Sequence, residues 1–312
     1  MSVGNPSGEG SVESRVMKPN PRSLAAAFVI LTVIGAACAK ATTTGGGGSS
    51  GGIEHPMGPN DLVLKVETGG GFVAPATHFK EFPSFALYGD GRLIVQGAQI
   101  EIYPGPALPS LQVTRISEEG IQAILEAAQA ASLLGSDKHY DFMTISDAPT
   151  TTFTTMAEGG RHVVSVYALG ESAAAGNQGI SPGELQAREA LAAFQGKLGD
   201  LGSWLPQGSV AEEGAYRFEE LRIFVLDQSA SPEPGLEQKP VDWPLSSPLA
   251  SFGQPVTNGP EGRCGSVSGD DLKTLLPLVE KANELTPWQS GGADYTLVLR
   301  PLLPDENGCQ GV

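Results

Sequence analysis

The chain has 312 residues, with 35 acidic against 19 basic side chains and a formal net charge of −16. Loss of the three basic and two acidic residues before Cys38 would leave the remainder at about −17. A body this acidic gains no affinity by neutralising phosphates, so no nucleic acid is expected among its partners. An apolar share of 40% and some 260 residues from Ile53 onward suffice for one large core or two modest ones.

Met1 to Val16 is polar, contains Glu9 and Glu13 and lacks any export pattern, so the working start is expected at Met17. From there Lys18 and Arg22 lead into the apolar run Leu24–Ala37, which closes on small residues at 35, 36 and 37. That order is the pattern of a cleaved secretory signal over 1–37, and the run falls short of the roughly 20 residues that cross a bilayer core. Gly35-Ala36-Ala37-Cys38 resembles the lipobox of bacterial lipoproteins, in which the cysteine is diacylglycerated, the peptide bond before it is cut and the new amino terminus is often acylated. Gly35 departs from the pattern, standing where that family carries Leu or another larger apolar residue. The resemblance implies lipid attachment at Cys38, a membrane partner engaged through that anchor, and residence on the extracytoplasmic face of the cell membrane. An ordinary secreted protein cut near Ala37 is the alternative. Residues 38–52 read as a tether, because the Gly/Ser/Thr composition of Ala39–Gly52 makes a flexible coil reaching roughly 20 Å. The screening length at physiological salt is about 8 Å, so the tether lets an acidic body stand clear of anionic headgroups.

The body alternates strand and helix signals. Asp61–Glu67 has the period-2 pattern of a half-buried strand, and Phe85–Tyr88 and Arg92–Val95 flank Gly89-Asp90-Gly91, a strong hairpin signal. A Pro-rich loop and a strand at 111–116 lead to a helix predicted over Ser117–Leu134, with Ser117 as cap, Ile121, Ile124, Leu125 and Ala128 as buried stripe and Gly135 as stop. Thr150–Met156 and Arg161–Leu169 flank Glu158-Gly159-Gly160 as a second hairpin. A helix follows from Ser181-Pro182-Gly183-Glu184, with Ala187, Leu191, Phe194, Leu198 and Leu201 on its core face. The chain loosens over Gly202–Gly214, which divides the body into a hairpin-helix domain, 53–204, and a second α+β subdomain, 205–312. The latter is expected to hold a strand at Arg217–Asp227, an irregular passage at 228–263, a helix over Ser268–Leu285 and a strand at Asp294–Leu299. The fold class predicted is α+β, built from antiparallel hairpins each followed by a packing helix.

Trp243-Pro244-Leu245, Arg263-Cys264-Gly265, Leu285-Thr286-Pro287-Trp288 and Arg300-Pro301-Leu302-Leu303-Pro304-Asp305-Glu306 with Cys309 resemble a group of uncharacterised exported proteins of high-GC Gram-positive bacteria. Tyr88-Gly89-Asp90-Gly91-Arg92 and Asp147-Ala148-Pro149-Thr150-Thr151 are similar to that group too. The resemblance implies a class of host and no chemistry.

Motifs that carry chemistry are few. Gly46–Gly51 matches the dinucleotide spacing and Gly48–Gly52 the nucleophile elbow, but both sit in the tether without the strand and helix that those motifs require. No cofactor is expected. Asp137-Lys138-His139-Tyr140-Asp141 is the one local cluster: in an extended loop, Asp137, His139 and Asp141 face one way and are candidate ligands for a divalent cation, against the plainer reading of a solvated loop. With Cys38 consumed by lipid, Cys264 and Cys309 are the remaining thiols, and an exported compartment permits a disulfide between them. The alternative is two free thiols. The function expected is a non-catalytic binding or interaction module of the cell envelope, engaging a protein, a wall polymer or a small ligand. The alternative is an envelope hydrolase with dispersed catalytic residues.

Overall fold

A computed structural model describes residues 51–310 apart from 74, 143, 172–178, 227–233 and 258–260. The signal, Cys38 and nearly all of the tether lie outside the described residues. The described residues fall within one compact unit, Ser49–Val312.

In chain order the first elements are β1 (Leu62–Gly69), β2 (Phe85–Tyr88), β3 (Arg92–Gln96), β4 (Leu111–Ile116), α1 (Glu118–Ala130), β5 (Lys138–Tyr140), β6 (Thr150–Ala157), β7 (Gly160–Tyr167), α2 (Pro182–Leu198) and β8 (Val210–Ala215). Their strands form one eight-stranded sheet in the order β5-β7-β6-β1-β2-β3-β4-β8. Residue chemistry sets the local turns. Between β2 and β3 the Asp90 carboxylate accepts from the Arg92 amide at 3.1 Å and its Nε at 2.7 Å. Gly91 there has φ +87°, and a Cβ on it would fall 2.3 Å from the Ile116 carbonyl. Between β6 and β7, Glu158 and Gly159 both take positive φ, as a two-residue hairpin turn demands.

Both helices pack on one face of this sheet. Ser117 caps α1 by accepting from the Gly120 amide, and Ile121, Ile124, Leu125 and Ala128 are buried against Val63, Leu87 and Phe153. The helix ends at Ala130, four residues before the predicted Leu134. Ser132 adopts φ +63°, its amide donates to Gln129 O and that of Leu133 donates to Ala128 O, a Schellman closure made without glycine. Ser181 caps α2, whose Leu191, Phe194 and Leu198 complete the same core. Arg188, unforeseen in the sequence, is 1% exposed, donates to Glu184 and to the carbonyls of Tyr167 and Asp141, and stacks over Phe142.

The second sheet, ordered β10-β13-β14-β9-β12-β11, comprises β9 (Glu220–Leu226), β10 (Val241–Asp242), β11 (Gln254–Pro255), β12 (Gly262–Ser268), β13 (Trp288–Ser290) and β14 (Ala293–Pro301), with α3 (Gly269–Val279) between β12 and β13. Leu272, Leu275 and Val279 of α3 pack on Ile223, Val225 and Leu299, with Trp243 edge-on to Trp288 at 6.0 Å. α3 stops six residues short of the predicted Leu285. Asn283 Oδ1 accepts from the Leu285 amide and Thr286 Oγ1 accepts from the Asn283 amide, so side chains take over the backbone bonds that would continue the helix. Ser268 occupies the N-cap position of α3, but its side chain makes no capping bond.

The fold is therefore a mixed α+β one dominated by its two sheets. Each sheet contains one parallel pairing, β5 with β7 and β10 with β13, which the expectation of purely antiparallel hairpins did not include. β8 lies beyond the boundary predicted after residue 204 yet pairs with β4 in the first sheet.

The segment Arg300–Cys309 belongs to both sheets. Leu303 is buried on the second face of the first sheet among Phe82, Ala86, Tyr88 and Ile94. Asp305 accepts from Tyr88 Oη at 2.6 Å and from Lys65 Nζ at 3.1 Å. Burial lowers the affinity of Lys65 for its proton, but Asp305 and Glu67 outweigh it and hold the ammonium above its ordinary pKa. On the second sheet Arg300 grips Glu306 through two bonds of 2.6 and 2.7 Å, donates to Glu81 O and lies 4.4 Å from the Phe82 ring centroid. Arg222 donates to Gly308 O, and Cys309 is disulfide-bonded to Cys264 of β12.

Candidate functional site

β5 is the edge strand of the first sheet, held in parallel register with β7 through Lys138 opposite Val164 and Tyr140 opposite Val166. Successive side chains on a strand point to opposite faces. Lys138 and Tyr140 therefore share the face that the two helices cover, and His139 lies on the other. Where α1 ends and α2 begins, that helical cover leaves a cleft of about 330 Å³. Ala130, Ala131 and Ser132 form one wall, Gly183, Gln186, Ala187, Ala190 and Leu191 the other, and Lys138, Tyr140 and Val164 the floor. A second hollow of about 380 Å³ adjoins it at Ser132 and Lys138, and continues past Gln129, Leu134 and Ser136.

The cleft is open because of residue size. Positions 183, 187 and 190 recur on one face of α2 at helical spacing and are Gly, Ala and Ala, so these positions fill little of the space opposite α1. Ala187, predicted as a core contact, is instead half-buried at this wall. On the other side the chain leaves α1 through Ser132, whose left-handed backbone is uncommon for a residue with a side chain.

The charge in the cleft is as distinctive as its shape. Among the described residues Lys138 is the one ionisable side chain lining either hollow apart from the weakly acidic Tyr140 phenol, and no carboxylate lines them. Among the described residues the Lys138 ammonium has no hydrogen-bond or ion-pair partner. At the start of α2 the Glu184 amide is taken by Ser181 Oγ and the Leu185 amide by Ser181 O. The Gly183 amide has no acceptor among the described residues. The cleft thus offers an ammonium, a backbone N–H at the positive end of a 17-residue helix and the polar groups of Ser132 and Gln186, over an apolar floor. Such a mixture of apolar surface with a few converging polar groups is what small-ligand sites use.

The predicted metal ligands are not brought together. Asp137 Oδ1 accepts from the Val163 amide at 2.8 Å, which fastens β5 to β7, and His139 Nε2 pairs with Asp141 Oδ1 at 2.8 Å with both side chains mostly exposed. No group of three His, Cys, Asp or Glu side chains among the described residues could hold a metal ion. Residues 138–140 of the expected loop are strand β5, which turns Lys138 and Tyr140 toward the cleft. The remaining histidines face carboxylates or backbone carbonyls in the hydrogen bonds they form: His55 with Glu118 and Pro56 O, His78 with Glu81, and His162 with the carbonyls of Gly135 and Ala157. Cys264 and Cys309 form the disulfide, with Cα atoms 6.0 Å apart, while Cys38 lies outside the described residues.

The chain enters the body at the opposite end of α1. The Ile53 amide and carbonyl pair with the Gln122 side chain at 2.8 and 3.0 Å, Glu54 pairs with the β6–β7 turn at Glu158, and His55 reaches Glu118. Burial disfavours the Glu118 carboxylate, but hydrogen bonds from Gln122 and His55 outweigh this and hold its pKa below the ordinary value. Counted from Gln122 to Ala130 at 1.5 Å per residue, the cleft begins about 12 Å further along the helix axis. No helix among the described residues is long and apolar enough to cross a membrane. Comparison with family models, with curated proteins and with solved structures gives no match, so the reading of this site rests on its own geometry.

Proposed function

We propose that this chain is a lipid-anchored lipoprotein on the extracytoplasmic face of the cell membrane, and that its body is a non-catalytic binding module whose ligand occupies the α1–α2 cleft. The observation that carries the binding role is the cleft itself, roomy, walled largely by small residues and holding a Lys138 ammonium that has no partner among the described residues. The Cys264–Cys309 bridge supports export, since such bonds persist in oxidising compartments and are rare in the cytosol. The lipobox-like Gly35-Ala36-Ala37-Cys38 and the tether after it support the anchor. In this reading the strand-pair-then-helix unit, used twice, makes the cleft, because both helices cross one face of one sheet and their facing ends do not meet.

Two experiments test the parts separately. Cys38→Ser should move the protein from the membrane to the soluble fraction, and a variant that sediments with membranes as wild type does refutes the anchor. A screen of esterase, peptidase, phosphatase and wall-polymer substrates should show no turnover. Turnover that disappears on changing one named Ser, His or Asp would instead make the protein an envelope hydrolase.

A further inference from the structure

We infer that the α1–α2 cleft selects a small organic monoanion, a carboxylate on a short apolar body, with Lys138 as the residue that sets the charge preference. This rests on the reading of the cleft as the binding site. A volume of about 330 Å³ has room for on the order of ten water-sized groups at ~30 Å³ each, enough for a small molecule. Its apolar part lies between Ala187 and Ala190 on one side and Val164 below. The head group meets donors: the Lys138 ammonium, the Ser132 hydroxyl and the Gly183 amide, which has no acceptor among the described residues.

The sign of the charge follows from what lines the space. In a chain with 35 acidic residues, two adjoining hollows that among the described residues are lined by no carboxylate and by one ammonium without an ion-pair partner favour an anion over a cation. The number of charges follows from the balance: one Lys offsets one negative charge, and the net −16 of the chain opposes a second. Neither hollow has an Arg among its described lining residues, so the two parallel bonds that a guanidinium makes to a phosphate are not on offer.

The test is an amide-resolved NMR titration of the compact unit Ser49–Val312, which contains every core described, with hexanoate, its neutral isostere hexanamide and the dianion hexyl phosphate as probes. Hexanoate should shift the amides of Ser132, Lys138, Gly183 and Gln186 saturably, and should bind about tenfold more tightly than hexanamide, the low end for one charged hydrogen bond. Lys138→Gln, at an exposed position on an edge strand, should remove that tenfold and equalise the two probes. Equal binding of hexanoate and hexanamide with no effect of Lys138→Gln, or tighter binding of hexyl phosphate, overturns the monoanion preference and leaves the cleft as a binding site. Absence of saturable shifts at the cleft with all three probes refutes the cleft and the preference together. So does Ala190→Leu, or Ala187→Leu if the former disturbs the fold, leaving the shifts unchanged, since either side chain would fill the space the probe needs.

Discussion

Removing the disulfide by Cys264→Ala with Cys309→Ala should lower stability by roughly 4 kcal/mol while leaving the native fold in place. The bridge closes a loop of 45 residues, and the chain-entropy relation gives about 4 kcal/mol for that length, acting through the unfolded chain. The native segment keeps its other holds: Arg222 on Gly308 O, Arg300 on Glu306, Asp305 between Lys65 and Tyr88, and Leu303 in its pocket. At about 2–4 °C per kcal/mol for a domain of this size, the melting temperature should fall by about 8–16 °C. Thermal unfolding of oxidised wild type, reduced wild type and the double variant separates the contributions. Cys264 is buried with Phe79, Phe224 and Val298, so the variant loses a little packing as well, whereas reduction removes only the cross-link. Reduced wild type should therefore melt close to the variant and slightly above it. A reduced protein melting within about 2 °C of the oxidised one would refute the argument, because an open 45-residue loop would then cost the unfolded state nothing. Thiol titration of the denatured, unreduced protein should find neither cysteine free.

Other perturbations test the join between the sheets. Arg300→Ala should cost about 3 kcal/mol in denaturant unfolding, because it strands the Glu306 carboxylate in a largely buried site, and Arg300→Lys should recover only part of it since an ammonium cannot form the fork. A loss below about 1 kcal/mol would place the pair with ordinary surface ion pairs. Tyr216 donates to Leu302 O, and its pKa is pushed up to about 12, first by burial and then, against Arg92, by Glu306, Glu219 and Asp305. Tyr88 is raised as well, by burial and then by Asp305. An unfolded tyrosine ionises near pH 10. The folded groups hold their protons longer, so the stability they contribute is complete below about pH 10 and falls as pH rises towards 12 and beyond. Stability of Tyr216→Phe should decline less steeply in that window; an identical slope would mean that this phenol is not shielded in the native state.

Much of the fold was legible because it depends on neighbours in sequence. Ser117 and Ser181 cap their helices, Asp90-Gly91 turns a hairpin, and the stripes Ile121–Ala128 and Leu191–Leu198 lie inside, all from local chemistry and period. Errors arose where distant groups compete. α3 ended early because Asn283 and Thr286 bond the backbone, and Arg188 is buried because carbonyls 21 and 47 positions away accept its donors. β5 is three residues long, too short for its period to show, and is a strand only because β7 lies beside it.

From the sequence alone came the acidic charge, the expectation of a lipid-anchored export signal, the α+β class and the pairing of two cysteines by elimination. Each depends on composition, on spacing along the chain, or on counting. The cleft is of another kind. Small residues on α2 read as a weak core face, and Lys138 as one charge in a polar loop, until the sheet places β5 under the gap between two helix ends. Nor did Arg300–Glu306 show what it joins, since its partners Lys65, Tyr88 and Glu81 lie more than 200 residues earlier. A cavity is defined by what fails to fill it, and that is settled only when elements far apart in the chain have packed.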